Sequence, residues 1–151
     1  RSTMIQDDLK LKGRLTVNLI AEDGSIKSTQ EIPNLVVTAG KTFVASRMAG
    51  TSSSVMSHMA IGTTSTAAAV GDTTLGAEVA RVALTSTTPN GNDIVYVGSF
   101  PAGTPSSSAA VVEAAIFNAS SSGTMLCRTV FSVINKSATD SLSINWTVSA
   151  S

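Results

Sequence analysis

The chain has 151 residues with ten basic and ten acidic side chains, so its formal net charge is zero. Charged residues make up 13% of the sequence, about half of the usual share in a globular protein, which argues against nucleic acid or an anionic membrane surface as a partner. A chain of this length is long enough to form a single domain with its own hydrophobic core.

An N-terminal hairpin is predicted by strict alternation of apolar and polar residues. Leucine and valine recur at every second position over much of residues 9–19, and the Asp23-Gly24 dipeptide that follows is a strong hairpin signal. The return strand is expected over residues 26–32. Pro33 interrupts the pattern, which favours an edge position or the start of a strand there.

The stretch NLVVTAGKTFVASRM, residues 34 to 48, has the order of a phosphate-binding loop, in which a strand is followed by Gly-Lys-Thr and a helix. The complete motif needs another glycine five residues before Gly40, and Leu35 stands at that position. A nucleotide site is therefore not predicted. The pattern instead favours a strand that runs into a helix over residues 39–49, with Thr38 as its N-terminal cap.

The remaining strands are predicted from apolar runs that are separated by turn residues. Small residues fill 62–74 and 101–108, which are expected to be loops, and Asp72 is expected to cap a short turn that extends to Arg81. The run at 109–117 is apolar on both faces, so we expect it at the centre of the sheet. The predicted strands are 55–61, a segment around Val82 and Leu84, 94–100, 109–117, 124–135 and 142–148.

About eight strands and one short helix near residues 39–49 predict an all-β protein. The regular spacing of the strands favours a single-domain β-sandwich with a jelly-roll-like arrangement. Residues 1–8 are polar and precede the first alternating strand. We therefore expect a flexible N-terminal arm at 1–8 and a sandwich domain at 9–151.

Reactive side chains are too few to predict an enzyme. His58 is the single histidine and Cys127 the single cysteine, so the usual zinc ligand sets, a disulfide and a histidine-based serine triad lack the residues that they need. Glu78 and Glu113 are the candidates for a glycosidase carboxylate pair, but an ion pair with an arginine is the interpretation that we favour for each. We expect no catalytic residue, cofactor, metal, membrane contact or small-molecule substrate.

A structural ion pair between Glu113 and Arg128 is predicted from their positions in two apolar strands. Residues 109–117 and 124–134 can form an antiparallel hairpin that residues 118–123 close symmetrically. Glu113 then lies directly across from Arg128, where opposed Cβ atoms are about 4.5–5.5 Å apart. The alternative is two independent charges that face solvent on an edge strand.

Four segments of the sequence, in this order, resemble virion proteins of tailed bacteriophages. The resemblance spans residues 9 to 149, and the family contains capsid decoration (cement) proteins and tail-fibre-associated proteins. It implies no catalytic residues. The segments are NLVVTAGKTFVASRM (34–48), MAIGTTSTAAAVGDTTLGAEVARVAL (59–84), VVEAAIFNASSSGTMLCRTVF (111–131) and LSINWTVSAS (142–151).

This resemblance implies a non-enzymatic virion structural protein that binds the outer surface of a phage capsid and stabilises the shell. The expected partner is the major capsid protein, and the expected location is the capsid surface after assembly in the host cytoplasm. Symmetry at capsid axes favours self-association as a dimer or trimer. The alternative is a tail-fibre or receptor-binding module, although the sequence lacks the collagen-like or coiled-coil extension that many fibres carry.

Overall fold

The computed structural model describes residues 10–51 and 54–150, and the arm predicted at 1–8 lies outside the described residues. Nine strands and one helix are present in the described part, so the predicted all-β class with one short helix is confirmed. The elements are β1 (Leu11–Ile20), β2 (Ile26–Val36), α1 (Thr38–Met48), β3 (His58–Gly62), β4 (Glu78–Ala83), β5 (Ser86–Asn90), β6 (Asp93–Phe100), β7 (Ala109–Phe117), β8 (Met125–Lys136) and β9 (Ser141–Ala150).

All nine strands belong to one antiparallel sheet, in the order β4-β3-β7-β8-β2-β1-β9-β6-β5. Strand β2 connects the two halves, because most of it pairs with β1 and its last two residues pair with β8. The edge strands β4 and β5 are consecutive in the chain, and the Thr85 amide between them donates to the Val97 carbonyl of β6. The sheet therefore curls into a half-barrel rather than separating clearly into the two layers of a sandwich.

The hydrophobic core fills the concave side of this curled sheet. Alternate residues of β1 point inward and pair with alternate residues of β9, as in the Leu15–Trp146 and Val17–Ile144 pairs. Across the core, a side chain at Gly98 of β6 would collide with Met59 of β3. Inward side chains from both halves of the curled sheet thus meet in its interior, where they form one main cluster.

The sequence pattern predicted that Pro33 interrupts the strand. In the structure Pro33 lies within β2 and pairs with Arg14 of β1. Strand β2 joins β8 only at Leu35 and Val36. At Pro33 the strand therefore has a ladder partner on one side only, and this position is similar to an edge, where a residue without an amide hydrogen is tolerated.

The turn expected from Asp72 to Arg81 is replaced at its C-terminal end by strand β4, which begins at Glu78. Residues three apart in this segment have a spacing that is typical of a helical turn. Pairing with the neighbouring strand β3, including the Ala60–Arg81 pair, stabilises the extended conformation instead.

Helix α1 begins one residue earlier than the sequence suggested. Thr38 is its first helical residue, Val37 is the N-cap, and no side-chain cap forms. Gly40, the glycine of the Gly-Lys-Thr stretch, is the buried residue of the helix, and a Cβ atom there would collide with the Leu126 carbonyl oxygen of β8. This glycine therefore permits close helix–sheet packing, since Leu126 occupies the space that a side chain would need.

The substitution Gly40→Ala tests this close approach. Alanine normally stabilises a helix interior by about 1 kcal/mol relative to glycine, but here we expect a loss of about 1–3 kcal/mol because the methyl group overpacks the contact with β8. Gly71→Ala is the control, since a Cβ atom there would meet open space. Chemical denaturation measures both changes, and a stabilised Gly40→Ala variant would contradict the packing account.

Candidate functional site

Glu113 of β7 is a fully buried carboxylate in an apolar strand, with 0% of its surface exposed. Its Oε2 atom accepts hydrogen bonds from the amides of Thr64 at 3.0 Å and Ala77 at 2.9 Å, and Oε1 accepts one from the Gly76 amide at 3.0 Å. A Cβ atom on Gly62, which pairs with Glu113, would collide with Oε2. The glycine thus leaves the space in which the carboxylate meets these amides.

Arg128 of β8 joins this carboxylate to the loop beside it. Its Nε and Nη2 atoms donate to Glu113 Oε1 at 3.2 and 3.0 Å, and only 2% of its surface is exposed. Nη1 donates to Asp72 Oδ2 at 2.9 Å, and Nη2 also donates to the Thr66 carbonyl at 2.9 Å. Asp72 Oδ2 in turn accepts from the Ala69 amide. We call Glu113, Arg128 and Asp72 the ionic network.

The structure brings the predicted pair together, but the predicted register was wrong. Arg128 lies across from Ala115 rather than from Glu113. Symmetric closure would pair Phe117 with Thr124, but Phe117 pairs with Met125, which shifts the register by one residue. An irregularity between Ile116 and Phe117 shifts the register by one more residue. A shift of one residue would have turned the side chains to opposite faces, whereas two shifts keep both on one face. The ion pair therefore forms diagonally.

The surroundings of Glu113 keep its carboxyl group charged. Burial raises its pKa, but the amides of Ala77, Gly76 and Thr64 and the Arg128 guanidinium outweigh burial, so that the pKa lies below its usual range. A buried charge is tolerated only when it is paired and hydrogen-bonded. At neutral pH the group is a hydrogen-bond acceptor and not a proton donor.

The ionic network fixes residues 63–77, the connection between β3 and β4, which we call the anchored loop. Thr63 donates to the Ala77 carbonyl at 3.0 Å, and the Thr38 amide of α1 donates to the Val70 carbonyl at 2.8 Å. A loop of this length is usually either functional or disordered. Here hydrogen bonds hold it, and its outward side chains are small and neutral apart from Asp72.

A second ion pair, between Glu78 and Arg81, fixes the tip of the β7–β8 hairpin. Arg81 Nη2 lies 2.7 Å from Glu78 Oε1, and the Arg81 guanidinium lies 3.8 Å above the centre of the Phe117 ring. Arg81 also donates to the carbonyls of Ala119 and Ser122. Both glutamates that were considered as a glycosidase pair are therefore engaged by arginines.

Other reactive side chains lie apart from the ionic network. His58 is on β3 with its Nδ1 atom 2.7 Å from the Ser57 hydroxyl. Burial raises the pKa of the Cys127 thiol well above its usual range, and it raises the pKa of Tyr96 to about 12.

Within residues 10–51 and 54–150, no three acidic, histidine or cysteine side chains are grouped as a metal ion would require. No helix among the described residues combines the length and the apolar character that a membrane crossing needs.

The sequence predicted the ion pair between Glu113 and Arg128 but not the loop that the pair holds in place. Asp72 was expected only as a turn cap, and the amides of Thr64, Gly76 and Ala77 carry no side-chain signal at all. The available signal was a charged residue inside each of two apolar strands, because a buried charge needs several partners. That signal predicts further partners for Glu113 without identifying them.

No protein-family model, curated protein or solved structure matches this chain. The likeness to phage virion proteins therefore rests on the four quoted segments.

Replacement of Arg128 by leucine tests the ionic network. We expect a loss of about 3–5 kcal/mol, because the Glu113 charge stays buried without its cation. The double replacement of Glu113 and Arg128 by leucine should also remain destabilised, since three loop amides lose their acceptor at about 1–3 kcal/mol each. Chemical denaturation measures both variants.

Arg14→Leu is the control for these replacements, because Arg14 is an exposed arginine on β1. Its effect should stay within about 0.5 kcal/mol. A double variant as stable as the unsubstituted protein would show that the loop amides do not depend on Glu113.

Proposed function

We propose that this protein is a non-enzymatic virion structural protein that binds the outer surface of a phage capsid and stabilises the shell. The anchored loop is the contact surface, and the major capsid protein is the partner. The observation that carries the proposal is the anchored loop itself, in which a buried ionic network holds a long segment with a neutral outer surface.

Preorganisation is the physical reason to assign contact with protein to this loop. A flexible segment of this length would lose conformational entropy on binding, and that loss would weaken the complex. Hydrogen bonds to Glu113 and Arg128 impose the order during folding instead. Val70 is 54% exposed and lies at the centre of the loop, so an apolar side chain is available where small neutral residues surround it.

A neutral contact surface also suits a repeated lattice. Clusters of like charge would repel when many copies bind close together, whereas alanine, threonine and serine side chains pack without that cost. Specific interfaces bury about 800 Å² per partner, which is more than one short loop supplies. Self-association as a dimer or trimer on the capsid would place several anchored loops in one assembly.

The engagement of both candidate carboxylates supports a structural role. The negative charge of Glu113 is paired with Arg128 in the core, and Glu78 forms an ion pair with Arg81. Retaining and inverting glycosidases need one carboxyl group that can donate a proton and one that is free to act on the sugar or on water. Neither carboxylate is available in that form, so the charged groups act on the fold.

Val70→Lys tests the proposed contact surface. A lysine at this position should reduce binding to DNA-emptied heads of the phage that encodes the chain by about tenfold or more, because an unpaired charge would be buried at the interface. Val133→Lys is the matched control, since Val133 is 53% exposed and lies on β8 away from the loop. Co-sedimentation of purified protein with the emptied heads measures the binding of both variants.

Two outcomes would contradict the proposal. Equal loss of binding for both variants would show that the anchored loop is not the contact surface. Binding of the unsubstituted protein to host cells, without binding to emptied heads, would favour the receptor-binding alternative.

A further inference from the structure

A second surface, distinct from the anchored loop, is an apolar groove between α1 and the half of the sheet that contains β5, β6 and β9. Its volume is about 650 Å³, which is within the usual range of ligand sites. Exposed apolar side chains are uncommon on this protein, yet Met48 is 79% exposed on the rim. The groove is lined mainly by apolar side chains, among them Leu11, Phe43, Val44, Met48, Ile94 and Val148.

A basic cleft of about 590 Å³ adjoins the groove. Lys10, Lys12 and Lys41 line this cleft, and Leu11 and Met48 line both the cleft and the groove. The combined surface is therefore apolar in one part and cationic in the next. Such a surface fits a peptide that carries apolar anchors and, a few residues away, acidic side chains.

The chain itself contains a segment of this chemistry. Residues 4–8 read Met-Ile-Gln-Asp-Asp, so that two apolar side chains are followed by two carboxylates. These residues lie outside the described part of the chain, and Leu9 alone separates them from Lys10 in the sequence. We propose that residues 4–8 bind in the apolar groove of the same chain, with Met4 and Ile5 in the groove and the two aspartates against the basic cleft.

Sequence order and chain length agree with this placement. Asp7 and Asp8 are closest to Leu11, which is at the junction of cleft and groove. Ile5 precedes Leu11 by six residues in the sequence, and six extended residues reach about 20 Å. The covalent tether also favours the same chain over a second copy, because a short link gives an effective concentration in the millimolar range.

Disulfide trapping tests the proposal directly. Cys127 is the native cysteine and is buried, so introduced cysteines can be oxidised without competition from it. Ile5→Cys combined with Met48→Cys should form an intramolecular disulfide in dilute protein at least about tenfold faster than Ile5→Cys combined with Val133→Cys. Non-reducing electrophoresis separates the linked monomer from a covalent dimer.

A charge-reversal variant tests whether Asp7 and Asp8 contact the basic cleft. Asp7→Lys with Asp8→Lys, placed in the Ile5→Cys/Met48→Cys protein, should slow trapping severalfold at low salt, because both substitutions oppose the lysine cleft. Salt should slow trapping in the protein that keeps both aspartates, since it screens the same attraction.

Equal trapping rates for the Met48 and Val133 partners, or no trapping at either, would overturn the proposal. A covalent dimer as the main product would also overturn it, since the segment would then bind a second copy. Unchanged trapping in the lysine variant would remove the basic cleft from the binding site.

Discussion

The charge of Glu113 can remain inside an apolar strand only because five hydrogen bonds compensate for the water that it has lost. Three of these bonds come from backbone amides of the anchored loop and two from Arg128. The β7–β8 strands and the placement of the loop are therefore coupled, since the Glu113 carboxylate needs the loop amides and the amides need the carboxylate. A charged residue that would normally destabilise a core here determines the path of fifteen residues that have no secondary structure of their own.

The part of the fold that depends on side-chain period was predictable. Strand β1 and strand β9 follow directly from alternation, because a residue that faces the core recurs at every second position. The all-β class follows from the same pattern. The alternation does not show which strands pair with each other. The curl that brings β4 and β5 together depends on residues far apart in the chain. Glu78 belongs to a strand because its segment pairs with β3.

In the candidate site, too, the residues could be predicted from the sequence but their pairing could not. Glu113 and Arg128 were identifiable because charges stand out in apolar strands. Their register was not, since neither the asymmetric closure of the turn nor the irregularity between Ile116 and Phe117 leaves a mark on composition. The backbone donors of the loop were invisible for a related reason: an amide is the same group in every residue except proline. The Gly-Lys-Thr stretch illustrates the reverse case, because a local motif suggested chemistry where Gly40 serves close packing against Leu126.

Residue-resolved amide hydrogen exchange tests most directly whether Glu113 holds the anchored loop. The amides of Thr64, Gly76 and Ala77 should exchange slowly in the native protein, and at least two of them should exchange faster in Glu113→Gln, which offers one acceptor oxygen in place of two. The Val17 amide of β1 should be unaffected. Exchange of the three loop amides as fast as that of exposed Gly71, or protection unchanged by Glu113→Gln, would contradict the account.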